Sequence, residues 1–400
     1  MTPQDRIGLA PLTKMAFAGN DLAALRMRLL SQSAARMSSA GLLMDLSVIE
    51  QLNGNKDAGL AYQDRALADC RTYRSTTAKR PGAPTVLVLA APVQMGSNTP
   101  VDFLLEGSGF DIVTHFVAPG ATTPADLPEH DVVFVAAPGD DGPTRPYINT
   151  IADLLTGWHK PVLNAPGQIM KLDRDVLPET LRGLAGIHLP PTEKYSHAAL
   201  SRAVTHADRT GFEGIGPFPW VIRPTASHAG RGLEKIRSLN ALRVYLDIWP
   251  EAEFFVSPFV DYRTPADGLF RKYRIIFVDG QAYPCHMALS DQWKIWYLNA
   301  GMDADASKRA AEQAFMDGFE TGFGARHRPA LATIAERVGL QYVGIDCAED
   351  QDGALLIFEA DNALIVHDMD APEIYPYKSA HMQRLFQAFT RTLRQAIEHQ

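Results

Sequence analysis

The chain has 400 residues, which is enough for two or three domains that each bury a hydrophobic core. Its residues are 46% hydrophobic and 21% charged, a globular composition that excludes a disordered or collagen-like chain. Lys and Arg number 38 against 46 Asp and Glu, so the formal net charge is −8. We predict no nucleic-acid partner, because an acidic chain offers no broad cationic face that would displace counterions.

The three cysteines, Cys70, Cys285 and Cys347, lie far apart and form neither a CxxC pair nor a Cys/His cluster at zinc spacing. We therefore predict no disulfide framework and no zinc site. No window approaches the ~18 apolar residues that span a bilayer, and the start of the chain lacks the apolar core of a signal peptide. We expect a cytoplasmic protein with no membrane partner.

The segment 1–80 has the apolar spacing of helices, as in Leu22, Leu25 and Leu29. The run Lys-Arg-Pro-Gly-Ala-Pro at 79–84 interrupts this pattern and is typical of a linker. We predict an N-terminal helical domain over 1–80. Its role, as an adaptor or as a surface through which the chain forms a homo-oligomer, stays open.

The stretch 84–165 alternates apolar strands with helical segments, the pattern of an α/β domain with a parallel sheet. Its first strand, 85–91 (TVLVLAA), is a continuous apolar run typical of burial on both faces. Ligands bind in loops at the carboxyl ends of such strands. Ser97 and Asn98, in the loop after this strand, are therefore candidates for contacting an anionic substrate group, and a plain loop that caps a helix is the alternative.

Beyond residue 165 the pattern becomes that of an antiparallel α+β region. Two apolar runs, 272–278 and 281–289, flank Asp279-Gly280, a favoured hairpin turn. The strands 343–348 and 354–360 follow a helical segment. The predicted fold class is thus α/β plus α+β.

A glycine loop, Ser-His-Ala-Gly-Arg-Gly at 227–232, follows a short strand and is flanked by Arg223. Glycine lets the backbone approach a phosphate closely, and backbone amides with guanidinium groups bind its oxygens. The loop indicates phosphate binding, with an ordinary glycine-rich hairpin loop as the alternative.

Acidic residues occur on the last two predicted strands. Glu359 and Asp361 are two residues apart, so a strand directs both to the same face. Asp346 lies on the preceding strand, where cross-strand neighbours come within ~5 Å. Carboxylates crowded among apolar residues repel one another unless a cation binds, and their hard oxygens suit Mg²⁺. Solvated hairpin charges are the alternative.

A cationic run, Arg271-Lys272-Tyr273-Arg274, opens the first strand of the Asp-Gly hairpin. Arg271 and Tyr273 share one face, while Lys272 and Arg274 share the other. One of these pairs is expected to face the concave side of the sheet, and a solvated strand end is the alternative.

The order of these features resembles the ATP-grasp layout: a cationic strand, a glycine loop, a strand that ends in a hinge, an arginine on the next strand and an Asp…Glu-x-Asp set. Over residues 84–375 the chain is similar to the glutathione synthetase and RimK side of that superfamily. The resemblance implies a pre-ATP-grasp α/β domain over 84–165 and a two-subdomain ATP-grasp domain over 166–400, both after the helical domain predicted over 1–80.

The resemblance also implies an ATP site. Arg223 and Arg174 stand where the family has phosphate-binding lysines. The positive charge is kept, but a planar guanidinium group replaces the point charge of an ammonium group. The loop that covers the phosphates corresponds to Ser227, His228, Ala229, Gly230 and Gly232. The hinge whose backbone contacts adenine corresponds to Ser257, Phe259 and Val260, and the acid that holds the ribose corresponds to Asp261. Pro258 has no amide, so the donor to adenine is a neighbour such as Phe259 or Val260.

The catalytic and metal positions follow from the same resemblance. Arg274 and Arg223 contact the transferred phosphate, with Arg271 as a further catalytic candidate. The implied Mg²⁺ ligands are Asp346, Glu359 and Asp361, with Asn362 as the ligand if the register slips by one residue. The candidates for holding the acceptor substrate are Arg271, His286, Trp293 and Tyr297.

The implied reaction joins a carboxylate to an amine through an acyl phosphate and releases ADP and phosphate, with ATP and Mg²⁺ required. Both substrates are small molecules or peptides. Two alternatives stay open: a small-molecule kinase on the same fold, and a nucleotide-binding adaptor without catalysis. A nicotinamide dehydrogenase is disfavoured, because the first parallel strand is followed by APVQMGSN rather than G-x-G-x-x-G.

Overall fold

The computed structural model describes residues 2–35, 40–75, 82–121, 127–139, 142, 144–207, 210–225, 227 and 230–399. Its strands form separate sheets, which we call the first, middle and C-terminal sheets in chain order. Within the described residues, no helix is both long enough and apolar enough to cross a membrane.

The first sheet has the parallel core that the sequence predicts. Its strands are β1 (Gln4–Arg6), β2 (Thr72–Ser75), β3 (Thr85–Ala90), β4 (Asp111–Phe116), β5 (Val132–Val135) and β6 (Val162–Leu163). The order is β1-β2-β4-β3-β5-β6, and β4, β3, β5 and β6 run parallel. Residues 86–90 of β3 are all buried, as expected of a strand covered on both faces.

The N-terminal segment is less purely helical than predicted. It forms α1 (Leu9–Phe17), α2 (Leu22–Ala35), α3 (Ala40–Leu52) and α4 (Lys56–Asp69). However, β1 and β2 join the edge of the first sheet, where β2 pairs antiparallel with β4. Such short strands have no readable alternation, and pairing holds them in place, β1 on β2 and β2 on β4. Residues 79–81 of the predicted linker at 79–84 lie outside the described residues, and the three-domain division stays a prediction.

The middle sheet is antiparallel. It consists of β8 (Glu193–Ser196), β9 (Trp220–Pro224), β10 (Glu234–Ile236) and β11 (Glu253–Pro258) in the order β10-β9-β11-β8. The helices α9 (His197–His206) and α10 (Leu239–Ile248) cover one side, and the side chains between them form a core of their own around Trp220 and Phe254.

The C-terminal sheet contains β7 (Ile187–His188), β12 (Phe270–Val278), β13 (Gln281–Ser290), β14 (Tyr342–Glu349) and β15 (Leu355–Asp361) in the order β13-β12-β14-β15-β7. The predicted hairpin is present, with Asp279 and Gly280 at φ angles of 47° and 78° in its turn. The α/β plus α+β fold class is therefore confirmed.

The remaining helices are α5 (Val101–Leu104), α6 (Arg145–Leu154), α7 (Pro166–Ile169), α8 (Leu177–Thr180), α11 (Ala306–Asp317), α12 (Phe323–Arg326), α13 (Arg328–Val338) and α14 (Lys378–Glu398). Phe389 of α14 contacts Phe134 in β5 and Tyr342 in β14, at ring-centroid distances of 5.3 and 5.8 Å. The first and C-terminal sheets thus share a continuous hydrophobic core.

Asn164 adds a polar link between these two sheets. Its side-chain amide donates to the carbonyl of Tyr342 at 2.8 Å, and its side-chain oxygen accepts from the Tyr342 amide at 2.9 Å. The asparagine side chain therefore pairs with β14 as a neighbouring strand residue would.

Candidate functional site

A row of polar side chains crosses one face of the C-terminal sheet. In cross-strand order along β13, β12, β14 and β15 it consists of His286, Arg274, Asp346 and Glu359. Directly opposed residues of antiparallel strands point to the same face, with Cβ atoms about 5 Å apart. We call this set the charge row. Lys272 and Asp361 lie two residues from members of the row and share its face.

Asp346 is the buried centre of the row, at 1% exposure. Arg274 Nε lies 2.8 Å from its Oδ1, and Lys272 Nζ lies 2.7 Å from its Oδ2. Burial acts to raise the pKa of Asp346, but the charges and hydrogen bonds of Arg274 and Lys272 outweigh it and hold the pKa well below its ordinary value. The carboxylate is therefore ionised at neutral pH.

Glu359 is held from outside the sheet by Arg174, which forms an ion pair with its carboxylate. Burial acts to raise the pKa of Glu359, but the charges of Arg174, Lys272 and Arg223 together outweigh it and lower that pKa. The third predicted ligand, Asp361, lies opposite Gly344, and its Oδ1 accepts from the amide of Ala363 at 2.8 Å. The register thus gives the three carboxylates a common face, as expected from the sequence.

These carboxylates do not form a metal cage by themselves. Among the residues that the structure describes, no three His, Cys, Asp or Glu side chains are grouped so that they could hold a metal ion. Asp346 and Glu359 form ion pairs with lysine and arginine side chains instead. Asn362, the alternative ligand, points away and donates to the carbonyl of Ala137 at 3.1 Å.

Arg223 enters the site from β9 of the middle sheet. Its Nε donates to Ser227 Oγ at 3.2 Å, and a second guanidinium nitrogen donates to the Ser227 carbonyl. Burial, followed by the charge of Arg174, lowers the pKa of Arg223 to about 10, while Glu359 acts in the opposite direction. Arg174 therefore lies close enough to disfavour the charge of Arg223.

Ser227, the first residue of the glycine loop, contacts this arginine. Ser227 is buried, whereas the predicted phosphate contacts His228 and Ala229 lie outside the described residues. Gly230 and Gly232 both have positive φ, and a Cβ on Gly232 would meet the ring of Pro224 at 2.6 Å. A larger residue at Gly232 would thus force the loop away from β9.

The predicted hinge follows Ser257 at the end of β11. The amide of Phe259 donates to the carbonyl of Pro219 at 2.9 Å, so Val260 is the better placed of the two predicted adenine donors. Asp261, the predicted ribose acid, accepts from Arg263 Nε at 3.0 Å, and this hydrogen bond lowers the pKa of Asp261. A ribose would compete with Arg263 for this carboxylate.

Arg271, a predicted catalytic residue, is engaged away from the charge row. Arg271 projects to the opposite face of β12, because strand side chains alternate, and donates to Asp267 Oδ1 at 3.0 Å and Thr264 Oγ1 at 2.7 Å. Arg271 therefore lies on the face opposite the charge row, and its role in catalysis or in holding the acceptor stays a prediction.

The first loop also differs from expectation. Both ends of the Asn98 amide bind the backbone of Ala91, each at 2.9 Å, so this side chain holds its own loop together. It is not available to a substrate in this conformation. Ser97, the other candidate, is partly exposed, and its amide donates to the carbonyl of Gln94 at 3.2 Å.

The predicted acceptor residues separate into two groups. His286 stacks on Tyr297 with ring centroids 4.8 Å apart and planes 1° from parallel. Trp293 packs edge-on against Phe259, so it belongs to the hinge. Burial and the charge of Arg274 lower the pKa of His286 well below its ordinary value, which keeps the imidazole neutral.

A buried ionic network behind His286 was missed from the sequence. Glu312 of α11 is 0% exposed and accepts from Tyr297 at 2.8 Å and from Tyr377 at 2.6 Å. Lys378 Nζ lies 3.5 Å from Glu312 and 4.1 Å from the ring centroid of Tyr297. The available signal was that Glu312 lies four residues before the buried Met316, on the apolar stripe of its helix.

Comparisons with known proteins find structural similarity alone: no protein family model and no curated protein matches the chain. A RimK domain ATP-grasp protein from Sphaerobacter thermophilus is 16% identical with a TM-score of 0.47, over 78% of this chain and 99% of that one. The D-alanine–D-alanine ligase of Bacillus anthracis complexed with ATP is 14% identical with a TM-score of 0.46, over 79% and 99%.

The ATP-grasp ligase PsnB, complexed with a phosphomimetic variant of its minimal precursor, Mg and ADP, is 13% identical with a TM-score of 0.42, over 76% of this chain and 98% of that one. Two of these three proteins are named as ATP-grasp, the superfamily that the sequence resembles. What this chain does is inferred from its own residues.

Proposed function

We propose that this protein is an ATP-dependent ligase that joins a carboxylate to an amine through an acyl phosphate and releases ADP and phosphate. The observation that carries the proposal is the charge row, together with the arginines that reach it from outside the C-terminal sheet. Its substrates are proposed to be small molecules or peptides.

The balance of charge in this region favours a polyanionic ligand. The side chains that converge on Asp346 and Glu359 carry four positive charges, from Lys272, Arg274, Arg174 and Arg223. With Asp361, which shares their face, these carboxylates supply three negative charges against four cations, and like charges held together at low exposure are unfavourable. A triphosphate supplies the missing negative charge, and guanidinium groups bind its oxygens in pairs.

The donor set fits Mg²⁺ when the metal is shared with phosphate. Asp346, Glu359 and Asp361 offer hard oxygen atoms on a common face. Mg²⁺ is usually held by one or two carboxylates together with substrate phosphates, so a complete protein cage is not required. When bound, the ion would neutralise charge on the phosphates.

The chain's own residues would then act by positioning. Carboxylate oxygen is a poor leaving group, and transfer of the γ-phosphoryl group to it corrects this. Arg274 and Arg223 would hold the transferred group in line for attack. His286 is neutral and fixed by Tyr297, so its ring is placed to accept a hydrogen bond from the incoming amine.

A screen for ADP release tests the proposal, with acids and amines supplied singly and in pairs, with and without Mg²⁺. We expect ADP release to require both substrates, and mass spectrometry to detect a product lighter by one water than their sum. A phosphorylated acid that accumulates in the presence of the amine would instead indicate a kinase. No turnover with any pair would indicate an adaptor.

The variant Glu359→Gln sharpens this test. It removes a charged oxygen donor and the partner of Arg174, so we expect ADP release to fall by about 10²-fold or more. Asp352→Asn, in the exposed turn before β15, is the matched control and should retain full activity. Equal activity of both variants would contradict the metal assignment.

A further inference from the structure

A cavity of about 80 Å³ lies where α3 and α4 cover the first sheet. Its floor is formed by Val88 and Ala90 of β3 with Thr114 and Phe116 of β4, which are paired in the sheet register, and it is apolar except for the Thr114 hydroxyl. The loop that follows β3 closes it from above. This space suffices for several water molecules or for an organic molecule of a few heavy atoms.

Arg6 of β1 lines this cavity and is buried, at 6% exposure. Its Nε has no hydrogen-bond partner among the described residues, and its ion-pair partner, Asp102 Oδ2, lies 3.6 Å from Nη2, beyond hydrogen-bonding distance. The other oxygen of Asp102 accepts from Ser75 Oγ at 2.8 Å. A buried guanidinium with unmet donors is unfavourable, so a ligand that accepts from it is expected.

Neighbouring polar side chains of the cavity are engaged elsewhere. Gln51 accepts from the amide of Met95 at 2.7 Å, and Gln63 donates to the carbonyl of Val93 at 3.1 Å. These bonds fix the loop as a roof over the cavity. Arg6 and Asp102 therefore carry the polar recognition.

The charges around Arg6 select the kind of ligand. Besides Asp102, Asp45 lies close enough to interact electrostatically with Arg6, and accepts from the amides of Ile7 and Gly8 at 2.8 and 3.1 Å. A simple anion would be repelled by two carboxylates, whereas a zwitterion offers a group to each member of the loose ion pair.

We propose that this cavity binds a small free α-amino acid as its zwitterion, with the carboxylate on Arg6 and the ammonium group on Asp102. The volume limits the side chain to a few atoms, and the walls at Val88 and Ala90 favour an apolar or short one. The site does not depend on the proposed ligase activity. Its roof includes Thr99, whose hydroxyl donates to the carbonyl of Asn362 at 2.7 Å, next to the charge row.

The test is thermal unfolding and calorimetric titration of the full chain without nucleotide, using glycine, alanine and serine. We expect the unfolding midpoint to rise with the concentration of these amino acids. N-acetylalanine lacks the ammonium group and alaninamide lacks the carboxylate, so neither should bind comparably. Equal binding of either compound, or of propionate, would overturn the zwitterion assignment.

Variants distinguish amino-acid binding in this cavity from binding at the protein surface or at the charge row. Arg6→Gln should weaken alanine binding by about 10- to 100-fold, because a charged hydrogen bond is lost. Ala90→Leu should abolish binding by filling the cavity while leaving Arg6 in place, and it decides the matter if Arg6→Gln fails to fold.

Arg65→Gln, at an exposed arginine of α4, is the matched control and should bind normally. Glu359→Gln should also bind normally, which distinguishes failure of this site from failure of the ligase proposal. The inference is wrong if no amino acid binds, which would leave a water-filled cavity, or if binding survives both Arg6→Gln and Ala90→Leu.

Discussion

The first sheet and the C-terminal sheet bury their strands differently. In β3 every residue from 86 to 90 is buried, because helices cover both faces of the parallel sheet. In β12 the partly exposed Lys272 and Arg274 flank the buried Tyr273 and point to one face, whereas residues 275–278 are all buried. The C-terminal sheet therefore carries charged side chains in a row across one face, whereas β3 of the first sheet carries none.

The largest effect is expected at the charge row. Arg274→Met leaves the buried Asp346 with Lys272 as its remaining cation, which should lower the free energy of unfolding by about 3–5 kcal/mol. It should also reduce ADP release by about 10²- to 10³-fold. Urea denaturation measures the change in stability, and the ADP-release assay measures the change in activity.

Arg326→Met is the matched control for this variant. Arg326 is exposed and pairs with Glu349 at 2.8 Å, so its loss should change stability by less than about 1 kcal/mol. If both variants lost the same stability, burial of the charge row would not be what distinguishes this face.

A substitution in the first sheet should affect stability alone. Phe134 is 0% exposed and packs against Phe389, so Phe134→Ala should lower the free energy of unfolding by about 3–5 kcal/mol through the cavity it creates. Because this strand carries no proposed site residue, ADP release per folded molecule should stay unchanged. A large loss of activity in a fully folded Phe134→Ala variant would contradict the proposed difference between the two sheets.

The two sheets should also respond to acid in different pH ranges. Burial and the charge of Arg71 lower the pKa of His115 in β4 from 6.5 to about 4, so the unfolded chain binds a proton first as the pH falls. Stability should fall by up to about 3 kcal/mol between pH 6.5 and 4. The lowered pKa of Asp346 removes stability only below its unfolded value of 3.8.

Urea midpoints measured from pH 7 to pH 3 for the wild type and for His115→Gln test this difference. The variant should lose little stability between pH 6.5 and 4, and both chains should decline below pH 4. An identical profile for the two chains would show that His115 does not control the first sheet.

Sequence reasoning succeeded where a pattern is local. Strand alternation was sufficient to give Glu359 and Asp361 a common face, and Asp279-Gly280 was sufficient to predict the hairpin. It did not find Lys378, whose partner Glu312 is on another helix, because no local pattern pairs residues that tertiary packing brings together. Nor could it show that the side-chain amide of Asn98 binds the backbone of Ala91, because no local pattern predicts that contact.

The link at Asn164 has a consequence for motion. Because its side chain pairs with Tyr342 and the flanking sheets share a core, we expect these two parts of the molecule to move as a rigid body. The middle sheet has a separate core, so it is the part able to swing. Nucleotide would then enter and leave as Arg223 and its glycine loop tilt away from a stationary charge row.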